Sequence, residues 1–238
     1  MFMPNSYFQF KQFKVEQGKC AMKVCTDSCL FGAWVNIDEH VRTILDIGSG
    51  TGLLSLMMAQ KHPAEITGIE IDENAYQQTV LNFNNSVWKD RLHPHLGDIK
   101  TFSFAQKFDF IICNPPFYEN EMESKQTKEK IAKHSLHLNL SDLILTIKNL
   151  LTENGKFAIL LPYYRKDAFE ELAQQHQFHA ESTVFIKQTP THPFFRYLAL
   201  FSKDKKREIN HEEISIKLPD NNYSNEAIVL LKPYYLFL

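Results

Sequence analysis

The segment 43–52 reads Thr43-Ile44-Leu45-Asp46-Ile47-Gly48-Ser49-Gly50-Thr51-Gly52 and places three glycines directly after a short apolar run. The apolar run predicts a β-strand, and the pattern of residues 53–61 predicts a helix after it. A strand-to-helix turn needs glycine where the turn is tight and where a ligand must approach the backbone closely. Since the helix also begins with free N–H groups, the segment predicts a ligand-binding loop.

The spacing of the glycines separates two classes of ligand. Dinucleotide-binding loops have the pattern G-x-G-x-x-G, whereas this loop has G-x-G-x-G with Asp46 two residues before it. A carboxylate at Asp46 would repel a pyrophosphate, but it could pair with the cationic α-amino group of a methionine moiety. The loop therefore favours S-adenosylmethionine over a dinucleotide.

The rest of the chain alternates short apolar runs with longer helical patterns, which predicts an α/β fold with a mainly parallel sheet. We expect seven strands with helices on both faces, and an antiparallel pair, 183–187 and 196–202, at one edge of the sheet. Residues 1–40 are expected to form a short N-terminal extension over the cofactor site, and residues 41–238 the main domain. The other expected strands are 43–47, 65–71, 93–96, 108–113 and 156–161, and the expected helices are 53–61, 73–87, 141–151 and 165–175. Residues 214–218 and 225–231 are expected to form a last strand-like and helix-like pair.

Two acidic residues follow neighbouring strands. Glu70 could accept hydrogen bonds from both hydroxyls of a ribose, and Asp98 one from the amino group of adenine. Each alone is more typical of a solvated loop acid, but together at strand ends they fit a ligand crevice. With 46–52, they make the chain resemble the class I methyltransferases, which implies a Rossmann-like fold and S-adenosylmethionine as cofactor.

Asn114-Pro115-Pro116-Phe117 follows the expected strand 108–113. Proline and asparagine can simply end a strand, but after a cofactor loop a catalytic role is favoured. The Asn114 side-chain oxygen and the Pro115 carbonyl can accept the N–H groups of a planar amine, while Phe117 offers a stacking face. Methylation would then depend on positioning, without a strong general base. Adenine, guanine and protein glutamine all carry such a nitrogen.

Composition sets wider limits. The net charge of −2 does not demand a polyanionic partner, although lysines cluster near the N-terminus, after Phe117 and near residue 205. The four cysteines do not have zinc-site spacing, and we expect no metal. Without a signal peptide or an apolar run of membrane-spanning length, the sequence predicts a cytoplasmic protein that does not bind membranes. It does not indicate the oligomeric state.

Segments at both ends of the chain, 10–13, 21–34 and 223–237, resemble the tRNA1(Val) adenine-N6 methyltransferase family. The resemblance covers nearly the whole chain and implies methylation of the N6 amine of adenosine 37 in valine tRNA. Cys25 and Ser28 stand where the family has glycine or another small residue, and Phe117 replaces a commoner tyrosine.

The resemblance also implies roles for individual residues. Thr26 and Asp27 would belong to a lid over the cofactor, although a simple helix cap explains them equally well. Another RNA base, protein glutamine and a catalytically silent RNA-binding relative stay as alternatives. The implied cofactor contacts are Lys23, Thr26, Asp27, Asp46, Gly48, Ser49, Gly50, Gly52, Glu70, Ile71, Asp98, Ile99 and Asn114. The expected tRNA contacts are Phe117, Tyr118, Lys11, Lys14, Lys128 and Lys133.

Overall fold

The computed structural model describes residues 6–20, 23–115, 139–205 and 208–238. Helices and strands alternate along most of this part of the chain. The strands are β1 (Tyr7–Gln9), β2 (Lys14–Glu16), β3 (Thr43–Ile47), β4 (Glu65–Glu70), β5 (Leu92–Leu96), β6 (Phe108–Cys113), β7 (Leu151–Pro162), β8 (His179–Lys187), β9 (Phe194–Ser202) and β10 (Asn210–Ser215). The helices are α1 (Thr26–Trp34), α2 (Leu53–Lys61), α3 (Glu73–Asn84), α4 (Leu140–Leu150), α5 (Lys166–Gln175) and α6 (Asn225–Leu231).

The central sheet has the strand order β10-β8-β9-β7-β6-β3-β4-β5. Among the described strands of this sheet, only β9 runs against its neighbours, which confirms the mainly parallel sheet. Within the described residues the sheet has eight strands, so the expected number of seven was wrong. The additional strand, β10, overlaps the expected strand-like segment 214–218 at residues 214 and 215. It pairs with β8 at the edge, outside the β8–β9 pair that was expected there. Its first four residues are polar and exposed, as edge strands often are, and so they carry no apolar alternation.

Helices cover both faces of the sheet, as expected. Successive residues of a strand point to opposite faces, so Ile112 packs with one apolar core and Ile111 with the other. The first core includes α2 and α6, and the second includes α4 and α5. The loops that follow the carboxyl ends of the strands are where an α/β sheet forms ligand sites.

The N-terminal segment forms the β1–β2 hairpin and α1. Phe10 and Val15 of the hairpin region are fully buried in the same core as α2. Lys61, at the end of α2, donates hydrogen bonds to the carbonyl oxygens of Gly32 (2.7 Å) and Ala33 (3.3 Å) near the end of α1. Burial lowers the pKa of the Lys61 ammonium to about 7. The domain boundary at residue 40 stays a prediction.

Several element boundaries differ from the expected ones. Helix α3 ends at Asn84 rather than at 87, and α4 is capped by Asn139, which accepts a hydrogen bond from the Asp142 amide at 2.7 Å. Strand β7 begins at Leu151 rather than at residue 156, so Gly155 lies inside the strand. The β6–β7 pairing is irregular between Phe108 and Phe110, and such an irregularity cannot be read from local sequence.

Candidate active site

Four neighbouring strands end at the same edge of the sheet. Strands β3, β4, β5 and β6 are parallel, so the segments that follow their carboxyl ends lie side by side. This arrangement brings together the glycine-rich loop, Glu70, Asp98 and Asn114, as the sequence predicts. The carboxyl edge of a parallel sheet is the usual place for a ligand crevice.

All three glycines of the loop have left-handed backbone angles. The φ angles of Gly48, Gly50 and Gly52 are 71°, 58° and 77°. A Cβ on Gly52 would lie 2.6 Å from the Phe83 ring, whereas a Cβ on Gly48 would meet no atom within 4 Å. Gly52 is therefore required by packing, and Gly48 leaves its side of the loop open to a ligand.

The Glu70 carboxylate fixes the loop to the end of β4. One oxygen, Oε2, accepts a hydrogen bond from the Gly50 amide, and Oε1 accepts from the amides of Ile71 and Asp72, all at 2.9 Å. These bonds hold the carboxylate in place. Since a carboxylate has about four acceptor positions and three of them are in use, Glu70 can still accept a hydroxyl donor from a ribose.

Asp46 has a buried carboxylate with one oxygen lacking a partner. Its Oδ2 accepts hydrogen bonds from the Ser55 amide (3.1 Å) and hydroxyl (2.7 Å), while Oδ1 has no partner in the described structure. Burial raises the pKa of the Asp46 carboxyl to about 7. A cationic group placed at Oδ1 would satisfy the oxygen and favour the ionised form, which fits the ammonium of a methionine moiety.

The other expected adenosine contacts follow β4 and β5. Ile71 is 47% exposed and offers an apolar surface beside Glu70, whereas Ile99 is 8% exposed and its side chain belongs to the core. The Asp98 side chain accepts a hydrogen bond from the Lys100 amide at 2.9 Å. A bond of 2.9 Å from the Gly97 amide to the Glu70 carbonyl joins the two strand ends.

Ser28 orients Asn114, although the sequence indicated Ser28 only as a departure from the family pattern. The Asn114 Nδ2 donates a hydrogen bond to the Ser28 hydroxyl at 2.9 Å. The same hydroxyl lies 3.0 Å from the Cys25 thiol. With the amide nitrogen bound to Ser28, the Asn114 Oδ1 is the atom that can accept a donor from a substrate.

The start of α1 is anchored to the opposite half of the sheet. Asp27 Oδ2 forms an ion pair with Arg196 Nε at 2.7 Å, and Asp27 Oδ1 accepts a hydrogen bond from the Ser28 amide at 3.0 Å. The residue in the N-cap position is Cys25, which makes no side-chain capping bond. The capping interpretation of Thr26 and Asp27 was therefore wrong, and their role in a cofactor lid stays a prediction.

A cavity of about 430 Å³ lies beside Asn114. None of its lining residues belongs to the glycine-rich loop; several come from β7, the beginning of β9 and the segment after β10. Its lining includes three cations, an aromatic ring and an apolar floor. The lining residues are Lys23, Cys25, Thr26, Asp27, Ser28, Asn114, Leu160, Gln188, Phe195, Arg196, Ile216 and Lys217.

The expected RNA contacts have different outcomes. Lys11 donates a hydrogen bond to the Leu238 carbonyl at 3.2 Å, and Lys14 pairs with Glu16 and lies 4.9 Å from the Tyr7 ring centroid. Neither lysine lines the cavity, so their role in RNA binding stays a prediction. Four other expected contacts lie outside the described residues, namely Phe117, Tyr118, Lys128 and Lys133.

The described ranges show neither a metal-binding cluster nor a membrane-spanning helix. No group of three or more histidine, cysteine, aspartate or glutamate side chains in these ranges is arranged to hold a metal ion. In the same ranges, none of the helices has the length and apolar character needed to cross a membrane.

Residues 33–179 match the family described as methyltransferase small domain. A tRNA1(Val) (adenine(37)-N6)-methyltransferase from Cytophaga hutchinsonii is 39% identical over 99% of this chain and 100% of its own length. The enzyme of the same name from Pseudoalteromonas translucida is 40% identical over 97% of this chain and 99% of its own length. The chain belongs to the tRNA1(Val) (adenine(37)-N6)-methyltransferase family. This confirms the family predicted from the end segments of the sequence.

Solved structures confirm the fold of this tRNA1(Val) methyltransferase family member. A predicted O-methyltransferase from Agrobacterium tumefaciens superposes with a TM-score of 0.67 at 15% identity, covering 86% of this chain and 95% of its own. The ribosomal protein L11 methylase of Lactobacillus delbrueckii superposes with a TM-score of 0.56, also at 15% identity, covering 80% of this chain and 84% of its own. At these identities the likeness shows the fold alone.

Proposed function

We propose that this protein transfers a methyl group from S-adenosylmethionine to the N6 amine of adenosine 37 in valine tRNA. The relatives of nearly equal length carry this activity in their names. The single observation that carries the proposal is the oriented Asn114 amide. Its oxygen is available to a planar amine because Ser28 holds its nitrogen.

The cofactor half of the site fits S-adenosylmethionine, whose sulfonium carries an electrophilic methyl group. Asp46 Oδ1 is a buried acceptor without a partner, and it suits an ammonium. Glu70 is held with acceptor capacity left over, and Ile71 presents an apolar surface to the adenine. Gly48 leaves open the side of the loop along which a ligand would pass.

The remaining chemistry is positioning. The Asn114 Oδ1 would accept one N–H of the exocyclic amine, and the Pro115 carbonyl would accept the other. Two such acceptors hold the nitrogen with its lone pair directed at the methyl group, which is the orientation that attack requires. The nitrogen becomes acidic once methylated, so its proton can be lost to solvent. A base normally stacked in the anticodon loop must be turned out of the stack to reach Asn114.

The thiols near the site argue against nucleophilic catalysis by cysteine. Burial, aided by the nearby Asp27 charge, raises the pKa of the Cys25 thiol to about 11. Burial also raises the pKa of Cys113, which is the last residue of β6, well above its usual value. Because the thiolate is the nucleophilic form, neither residue would attack a base at neutral pH. This favours direct transfer to nitrogen.

The proposal is tested with an unmodified valine tRNA transcript and labelled S-adenosylmethionine. The wild-type protein should incorporate one methyl group per tRNA, and Asn114→Ala should lower the single-turnover rate by about 10²–10³, the usual cost of removing a positioned transition-state acceptor or donor. Cofactor affinity should stay unchanged. A wild-type rate in Asn114→Ala would contradict the role of Asn114, and labelled protein in place of labelled tRNA would contradict the substrate. A tRNA substrate would also place the reaction in the cytoplasm.

A further inference from the structure

Charge is divided along the carboxyl edge of the sheet. The half that would hold the cofactor carries the carboxylates of Asp46, Glu70 and Asp98. Beyond Asn114, the cavity presents three cations and one carboxylate. The cations are Lys23, Arg196 and Lys217, and the carboxylate is Asp27. Such a division suits a cationic cofactor on one side and an anionic substrate on the other.

The two lysines of the cavity keep their charge available. Lys217 donates to the side-chain oxygen of Asn221 at 2.8 Å, and its ammonium lies 5.8 Å from the Tyr223 ring centroid. In the described structure neither Lys217 nor Lys23 lies within ion-pair distance of a carboxylate. Arg196 differs, since it is paired with Asp27. The cavity therefore has a net positive charge that its own residues do not cancel.

The lining also provides groups that recognise a base. Phe195 is half-buried, and the Arg196 guanidinium lies 4.9 Å from its ring centroid. Gln188 is exposed and carries both a donor and an acceptor, while Leu160 and Ile216 form a buried apolar floor. Aromatic or guanidinium surfaces beside cations are typical of sites for single-stranded nucleic acid. The volume of about 430 Å³ lies within the range of pockets for small ligands, about 300–1,000 Å³.

We propose that this cavity binds the nucleotide next to the methylated adenosine, with a phosphate at Lys217 and the base beside Phe195. The inference rests on the proposed function and deepens it. The target amine must lie at Asn114, on the side facing the cofactor crevice. The cavity is also lined by Asn114 but by none of the glycine-rich loop, Glu70 or Asp98, so it receives the neighbouring part of the RNA chain rather than the reacting base.

Lys217→Ala tests this assignment, with Lys148→Ala as the matched control. Lys148 is exposed near the end of α4, just before β7 begins, and it does not line the cavity. Its substitution therefore removes the same charge at a different place. Binding of unmodified valine tRNA is measured with S-adenosylhomocysteine present, from 50 to about 200 mM salt, a range in which phosphate contacts are strongly screened. Cofactor affinity and steady-state methylation are measured in parallel.

We expect Lys217→Ala to reduce the slope of log affinity against log salt by about 0.7, the value for one phosphate contact in a single strand. The KM for tRNA should rise, whereas kcat at saturating tRNA and the Kd for cofactor should stay unchanged. Lys148→Ala should match the wild type in every measurement.

Three results would overturn the assignment while leaving the proposed function intact. The slope and KM of Lys217→Ala could equal those of the wild type, Lys148→Ala could show the same losses, or the cofactor Kd could weaken together with tRNA binding. Failure of the proposed function would look different, because the wild-type protein itself would then not methylate valine tRNA.

Discussion

Ser28→Ala is the sharpest test of how the site is organised. The Ser28 hydroxyl accepts the hydrogen bond from Asn114 Nδ2 at 2.9 Å, and Ser28 itself is 5% exposed. Among the described residues, this is the side-chain hydrogen bond that orients the Asn114 amide, and Ser28→Ala removes its support for the orientation that points Oδ1 at the substrate. The substitution removes the orienting bond but leaves the reacting groups in place. Ser28 is thus a positioning residue that acts through Asn114.

The size of the effect follows from the energy of one hydrogen bond. A hydrogen bond of this kind contributes about 0.5–1.5 kcal/mol net, and RT is about 0.59 kcal/mol at room temperature. If all of that free energy orients Asn114, kcat should fall by roughly 2- to 13-fold. This is much less than the loss expected for Asn114→Ala, because the acceptor oxygen remains. The KM for cofactor should not change.

Single-turnover methylation of valine tRNA measures the effect without product release. Ser86→Ala is the matched control, since the Ser86 hydroxyl is also buried and donates to the Phe83 carbonyl at 2.8 Å, away from Asn114. It should reduce stability by a similar amount and leave the rate unchanged. A double-mutant cycle then shows whether Ser28 acts through Asn114.

In the Asn114→Ala background, Ser28→Ala should cause no further loss of rate. An equal, additive loss in that background would refute the proposed coupling. So would a wild-type rate in Ser28→Ala alone, or a rate loss in Ser86→Ala as large as that in Ser28→Ala.

Two further predictions concern the cofactor loop. Because the pKa of the Asp46 carboxyl is raised to about 7 and a bound cation would lower it, cofactor affinity should rise as pH increases towards 7 and level off above it. Calorimetry near pH 6.5 in buffers of different ionisation enthalpy should show that protons are released when the cofactor binds. Asp46→Asn should abolish both this proton release and the pH dependence of cofactor affinity. Unchanged proton release in Asp46→Asn would exclude Asp46 as the source of the protons. Left-handed strain of about 1–2 kcal/mol should lower Tm by about 2–8 °C in Gly48→Ala, and this variant should also bind the cofactor more weakly at a temperature where the protein is folded. Gly52→Ala should lower Tm further than Gly48→Ala, because the contact with Phe83 adds to the same strain. The reverse ranking of the two stabilities would contradict the loop geometry.

Much of the fold follows from local patterns in the sequence. The strand 43–47 and the helix 53–61 were predicted with the bounds that the structure shows, because an apolar strand, a glycine-rich turn and a helix each have a short-range signal. Strand β10 was misplaced because its polar edge residues lack that signal. The start of β7 depends on its pairing with β6, and so it was missed as well.

The site shows the same division between local and distant information. Asp46 and Glu70 are recognisable because each stands at the end of a strand, close to the glycines. The Asn114–Ser28 bond joins residues 86 positions apart, and the Asp27–Arg196 pair joins residues 169 apart. Contacts at such separations depend on the folded sheet, and a single sequence carries no pattern for them.

Mapping the methylated position is the most direct test of methylation at adenosine 37. Unmodified valine tRNA is methylated with the wild-type protein, cut into nuclease fragments and examined by mass spectrometry. We expect one added methyl group, in the anticodon-loop fragment that contains adenosine 37, recovered as N6-methyladenosine after digestion to nucleosides. Methylated guanine, a methyl group in another fragment, or label recovered in protein would contradict it.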